Sequence, residues 1–216
     1  MLEPFKKLAP EKQQQIIRAA LKEFANQGYD RASTNQIVKE AGIGKGMLFY
    51  YFKSKWDLYI YLFDYSLDVI REEFLNKIDR NIDDFIDLLS HISRVKFQFF
   101  LKNPEISSFF TSFVLVDHKL DELPDELKMK FSEVYREGNS LMFNTKKNLS
   151  FLRDDIDKEK AYQLIVWTLR GYQQDFLEKF KGKRLIDLDM EEMWKEFDEY
   201  LEILRICFYR KREEKL

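Results

Sequence analysis

Residues 33–52, STNQIVKEAGIGKGMLFYYF, decide how this chain is read. Ser33 followed three residues on by Gln36 is a capping-box start for a helix. Ile37, Val38 and Ala41 supply its inward side, and Gly42 stops it. Ile43 and Gly44 make a turn. A second short helix, about Lys45 to Tyr51, follows at once, and Lys53-Ser54-Lys55 leads out of it. Two short helices joined by a glycine-bearing turn form a helix-turn-helix, in which the first helix crosses a DNA backbone and the second enters the major groove.

Working outward, the rest of the chain reads as helix. Pro10 is a favoured first-turn residue with Glu11 beside the positive helix end. Ile16, Ile17, Ala20, Leu21 and Phe24 then recur at three- and four-residue spacing up to Gly28. Downstream stripes predict a helix from 55 to about 77, one ending at Asn103-Pro104, and a short one over 105–116. Three more are expected over about 124–147, 157–181 and 189–212. Only 7 Gly and 4 Pro occur in 216 residues, and no strand pattern is visible. The expectation is an all-α chain of about nine helices, with a head over 1–54 and a helical body over 55–216.

Charge separates these two parts. Residues 1–55 carry ten Lys/Arg and five Asp/Glu, a balance of +5. The remaining residues carry 26 and 33, a balance of −7. A basic head on an acidic body directs a polyanion to the head. Thr34 and Asn35, at the start of the first helix of the motif, suit phosphate oxygens. Lys45, Tyr50 and Tyr51 are expected to project outward, and Gly46 lets a base or phosphate approach the backbone. A Gly-x-Gly-Lys-Gly run is not a phosphate loop here, because that loop needs GxxxxGK[ST] after a strand.

The segment resembles the TetR family of bacterial transcriptional regulators. The resemblance rests on AALKEFANQGYDRAST and on Ala41-Gly42-Ile43-Gly44-Lys45-Gly46-Met47-Leu48-Phe49-Tyr50-Tyr51-Phe52-Lys53-Ser54-Lys55, and it is sharp over residues 10–65. It implies DNA contacts by Lys45, Gly46, Tyr50 and Tyr51, and phosphate contacts by Thr34 and Lys55. With Asn35, Met47 and Phe49 these make the candidate DNA-binding set. Gly44 stands where the family often has serine, and Tyr51 where histidine is frequent.

The resemblance further implies a homodimer joined by the last two long helices. The last helix agrees, since Met190, Met193, Trp194, Phe197, Leu201, Leu204 and Phe208 form one apolar stripe and Tyr200, Ile203 and Cys207 a second face beside it. Thr168, Gly171 and Tyr172 on the helix before complete the candidate interface. Family members usually sense a small ligand in the body. The candidate lining here is His91, Arg94, Phe99, Phe109, Phe113, Tyr135, Asn139, Phe143 and Trp167, and an inward Arg94 would favour a carboxylate.

The sequence therefore predicts a cytoplasmic repressor that binds a palindromic operator on double-stranded DNA and is released by a small, largely apolar effector. The rival reading is an all-α enzyme or small-molecule carrier whose head does not bind DNA. His91 and His118 lie far apart without metal-ligand spacing, and no catalytic or cofactor signature is present, so no cofactor or metal is expected. Cys207 is single, which excludes an internal disulfide. The longest charge-free apolar stretch, residues 106–116, is shorter than the roughly 18 residues a membrane span needs.

Overall fold

The computed structural model describes residues 3–113, 119–143, 149–179 and 190–210. Within them the chain forms ten α-helices: α1 Glu3–Lys6, α2 Pro10–Arg31, α3 Thr34–Glu40, α4 Lys45–Phe52, α5 Lys55–Glu73, α6 Phe85–Lys102, α7 Pro104–Ser112, α8 Asp125–Phe143, α9 Lys158–Lys179 and α10 Met190–Phe208. Among the described residues there is no strand, and a single isolated bridge joins Leu152 to Tyr209. No helix among them is long and apolar enough to cross a membrane. The helix beyond the expected nine is α1, four residues with one buried side chain, Phe5. A single apolar residue leaves no periodicity to find.

The chain divides into two compact units. One comprises residues 1–77 and 102–137, the other 78–101 and 138–216. The first thus holds residues 1–54 together with α5, α7 and most of α8.

In the first unit α2 packs against α3, α5 and α7. Its apolar stripe is the reason, since Ile16, Ile17, Ala20, Leu21 and Phe24 are all buried. Gly28 is the break that glycine predicted. It sits at φ 67°, ψ 171°, and one more short turn follows to Arg31. The core beyond α2 is aromatic. Phe24 meets the Tyr59 ring at 5.0 Å, Tyr59 meets Phe109 at 5.3 Å, and Phe63 meets Phe113 at 4.2 Å. Such tilted and edge-on pairs contribute about 0.5–1.5 kcal/mol each beyond the area they bury.

In the second unit Phe85, Ile86 and Leu89 of α6 form one core with Ala161, Ile165 and Val166 of α9 and Phe197, Leu201 and Leu204 of α10. Asp84 ties the start of α6 to the end of α10. Its carboxylate accepts the Asp87 N–H at 3.0 Å, which caps α6, and is held by Arg205 at 3.0 Å and by the Tyr209 hydroxyl at 2.9 Å. The Tyr209 hydroxyl in turn accepts the Ile86 N–H at 3.1 Å. The last helix ends earlier than the expected 212, because α10 stops at Phe208, and Arg210 pairs with Asp154 at 2.7 Å. Lys211 and Arg212, like His118, lie outside the described residues.

Candidate nucleic-acid interface

The helix-turn-helix is α3, residues 41–44 and α4. Ser33 caps α3, its side chain accepting the Gln36 N–H at 3.4 Å. Gln36 does not return the bond. The Ser33 N–H donates instead to Glu23 of α2 at 2.8 Å, so the cap doubles as a link between α2 and α3. At the other end Gly42 adopts φ 59°. Ile43 N–H then reaches the Val38 carbonyl at 3.0 Å and Gly42 N–H the Lys39 carbonyl at 3.3 Å. This is a Schellman ending, which glycine adopts without the penalty of a Cβ. Lys12 of α2 completes it, donating to the Ala41 and Gly42 carbonyls at 3.0 and 3.2 Å. Both ends of α3 are therefore fastened to α2, and the turn that aims α4 is fixed by backbone bonds.

The α4 helix buries Leu48, Tyr51 and Phe52 and presents Lys45, Gly46, Met47 and Tyr50 outward. Tyr50 is 64% exposed and Met47 45%. Residues 46, 47 and 50 share one side because three- and four-residue steps return to the same face. Beyond its own helix, a Cβ placed on Gly46 would meet nothing within 4 Å among the described residues, so these do not require glycine there. Gly44 carries no side-chain cap for α4, as its replacement of serine implied. Thr34 is half-buried and Asn35 exposed at the start of α3, and Phe49 is half-buried.

Two residues stand otherwise than the sequence suggested. Tyr51 is 4% exposed rather than outward. Phe5 of α1 lies edge-on to it at 6.0 Å, and this lid was not legible from periodicity. Lys55 does not stand free for a phosphate. Its ammonium donates to the Tyr29, Asp30 and Ala32 carbonyls at 2.8, 3.2 and 3.2 Å and lies 4.6 Å from the Tyr29 ring. An ammonium has three donors, and all three are used on the end of α2. Lys12, Glu23 and Lys55 thus form a frame that spacing alone did not reveal, because each bond spans between ten and thirty residues of sequence.

The candidate dimer face keeps its expected sides. Met193, Phe197, Leu201 and Leu204 are buried, while Tyr200, Ile203 and Cys207 are exposed, with Ile203 at 54%. On α9, Thr168 and Gly171 are exposed and Tyr172 is half-buried. The Tyr172 ring lies against Phe197 at 5.2 Å and Tyr200 at 5.3 Å. Its hydroxyl is buried without a hydrogen-bond partner among the described residues, and burial pushes the phenol up to about 12. Gly171, like Gly46, has nothing beyond its own helix within 4 Å of an added Cβ among the described residues.

The candidate effector residues fall in both units. Phe109 and Phe113 are close-packed core of the first unit, 0% and 3% exposed. Tyr135 is an exposed ring stacked on Phe131 at 5.8 Å. Trp167 is not inward but 59% exposed, on the same side of α9 as Leu164, Thr168 and Gly171. Arg94 is also a surface group, forked onto Asp198 at 2.6 and 2.7 Å and stacked 4.4 Å from the Trp194 ring. His91 accepts the Asp79 N–H at 2.9 Å, a loop anchor. Phe99 is buried and Asn139 half-buried, while the Phe143 side chain lies outside the described residues.

Comparison with known proteins agrees with this architecture. Residues 16–62 match the family described as bacterial regulatory proteins, tetR family, and residues 83–208 match the tetracyclin repressor-like C-terminal domain. An HTH-type transcriptional regulator of Staphylococcus aureus (strain USA300) is 41% identical over 69 residues, which are 32% of this chain and 37% of that protein. The chain thus aligns with little more than a third of the curated relatives it matches. A TetR family transcriptional regulator from Chloroflexus aurantiacus shares the fold at TM-score 0.65 and 23% identity, covering 97% of this chain and 98% of that one. The ketosteroid transcriptional regulator KstR2 of Mycobacterium tuberculosis shares it at TM-score 0.66 and 15% identity, over 95% and 98%. Since the C-terminal match alone spans more than half of the 216 residues, beside an N-terminal match over the helix-turn-helix, the chain belongs to the TetR family of bacterial regulatory proteins.

Proposed function

We propose that this protein is a homodimeric transcriptional repressor whose residues 1–54 bind a palindromic operator and whose body releases it on binding a small, largely apolar effector. The observation that carries the reading is the outward side of α4. Lys45, Gly46, Met47 and Tyr50 are exposed on a helix whose aim is fixed by the bonds from Lys12 and Glu23 to α3. Lys45 supplies charge, Tyr50 a hydroxyl and a ring, Met47 an apolar contact, and the open space at Gly46 lets a duplex approach the backbone. Thr34 and Asn35 at the start of α3 suit the adjoining phosphates. Lys55 and Tyr51 act behind this surface, one holding the end of α2 and the other filling the core.

The second face supports the pairing. Thr168, Gly171, Tyr200, Ile203 and Cys207 are exposed on α9 and α10, together with Leu164, Trp167 and Ile206 at 46%, 59% and 72% exposure. Large apolar side chains exposed on two helices of one unit mark an association surface. Two-fold pairing demands half-sites about one helical turn apart, roughly 34–36 Å, or a multiple of that.

The test is a fluorescence-anisotropy titration with the DNA upstream of the protein's own gene. Tight binding that falls steeply between low and moderate salt is expected. Tyr50→Ala should lose preference for the operator while remaining folded and dimeric. An absence of binding to any upstream fragment at low salt overturns the regulator reading.

A further inference from the structure

The inner side of α6 carries a residue that its neighbours do not lead one to expect. Phe85, Leu89, Ile92 and Phe99 are buried, at 2%, 7%, 2% and 5% exposure, and define the stripe that faces the interior. Lys96 falls on that stripe. It lies eleven residues after Phe85 and seven after Leu89, and at 3.6 residues per turn both steps return to within about 20° of the same direction. The flanking cations behave differently. Arg94 turns to the surface and pairs with Asp198, and Lys102 pairs with Glu73 at 3.0 Å. Lys96 is half-buried, and its ammonium lies 5.5 Å from the centre of the Phe100 ring one turn on. No ion pair or hydrogen bond to its ammonium is found among the described residues. Burial lowers its proton affinity, and among the described residues no carboxylate works in the other direction.

A lysine on an apolar stripe is costly unless its charge meets an anion. Within the fold it has a ring face, which offsets part of that cost. The second unit holds 20 Asp/Glu beside 19 Lys/Arg, so the missing counter-charge is not withheld for want of carboxylates. They are directed elsewhere, Asp198 to Arg94 and Asp84 to Arg205.

We propose that Lys96 is the anchor for an anionic head group on an apolar small molecule bound in the body, with Phe99 and Phe100 on either side of it. The inference rests on the reading of the body as effector-binding and specifies the class of effector. The ligand is an organic anion whose carboxylate or phosphate replaces the water that Lys96 has lost, and whose apolar remainder lies among the α6 side chains.

The test uses the full chain and a matched pair of fluorescent probes, 8-anilinonaphthalene-1-sulfonate and its uncharged parent N-phenyl-1-naphthylamine. The parent protein should bind the anion more tightly. Lys96→Met keeps the apolar stem and removes the charge, so it should weaken the anion about ten- to a hundredfold and leave the neutral probe within about twofold. Lys96→Arg should retain the preference for the anion. Displacement by decanoate and by decyl phosphate then distinguishes a carboxylate site from a phosphate site. A second measurement needs no ligand. Without an anion, Lys96→Met should melt at or above the temperature of the parent, because an unpaired charge has been removed. A clear drop in melting temperature would mean that the fold itself pairs this lysine, and would overturn the proposal. So would an anion preference that survives in Lys96→Met. If probes bind and depend on Lys96 but none releases DNA, the anchor stands and the effector reading of the body falls instead.

Discussion

The outward side of α4 and the outward sides of α9 and α10 are both exposed, yet they are made from opposite chemistry. The α4 surface offers Lys45, Met47 and Tyr50 around the bare backbone of Gly46. The α9 and α10 surfaces offer Leu164, Trp167 and Gly171 on one helix and Ile203 and Ile206 on the other. Each contains a helical glycine that no packing among the described residues requires, since beyond its own helix an added Cβ would meet nothing within 4 Å there at either. The difference is in what each surface can bind. The first suits a charged, hydrogen-bonding groove, and its binding should weaken with salt. The second suits another apolar face, and its binding should follow protein concentration and be nearly indifferent to salt.

Ile203→Glu attacks the second surface and should have the largest effect. It places a charge at a site that a partner copy would desolvate, which costs several kcal/mol when no counter-charge is supplied. Sedimentation velocity should show a dimer weakened by about a hundredfold or more, with unchanged helix content because Ile203 is 54% exposed. Operator binding should weaken with it, since one head alone holds half a site. A variant that sediments as the parent does would mean that α10 is not the pairing surface.

Lys55→Met acts on the frame beneath the first surface. Removing its ammonium leaves the carbonyls of Tyr29, Asp30 and Ala32 without that donor. A loss of about 1–3 kcal/mol in unfolding free energy is expected from denaturant titration. The salt dependence of DNA binding separates framing from contact. If Lys55 touched a phosphate, its loss would lower the slope of log K against log salt by about one. The three carbonyls predict an unchanged slope.

These two sites also show where the sequence was legible. The stripe on α10 divided into a buried and an exposed side as its spacing required, because a regular helix turns residue number into direction. The turn at Gly42 and the break at Gly28 were legible for a similar reason, as both glycines hold positive φ. What stayed hidden depends on contacts between distant parts of the chain. Phe5 covers Tyr51 and Phe52 from a helix of four residues, which carries no period. Lys55 and Lys12 reach carbonyls that sequence spacing does not connect to them. Arg94 and Lys96 were distinguishable only by phase along α6, where two residues change the direction by about 200°. A list of polar residues on the helix does not carry that phase, and the residue on the buried stripe is Lys96.

Gly46→Ala returns to the first surface with a smaller expected change. Beyond its own helix the added methyl meets nothing within 4 Å among the described residues, and alanine is the better helix former by up to about 1 kcal/mol, so stability should hold or rise slightly. Operator affinity should fall about tenfold if the duplex approaches the backbone there, since a methyl in a close contact pushes the pair apart. Equal affinity would move the closest approach of DNA elsewhere on α4.

Gly171→Ala is the counterpart on the second surface and should produce the smallest change, in two opposing parts. Within one chain the substitution favours α9 by up to about 1 kcal/mol, because glycine is the costlier residue in a helix interior. Across a pair of chains it costs whatever close approach of the two helices the glycine permits. The two parts separate when the substitution is made twice, once in the parent and once in the Ile203→Glu background. In the monomeric background the melting temperature should rise. In the parent the dimer should loosen several-fold although each chain is more stable. A dimer that tightens in step with chain stability would show that the partner does not approach Gly171, and would leave Ile203 and Tyr200 as the centre of the contact.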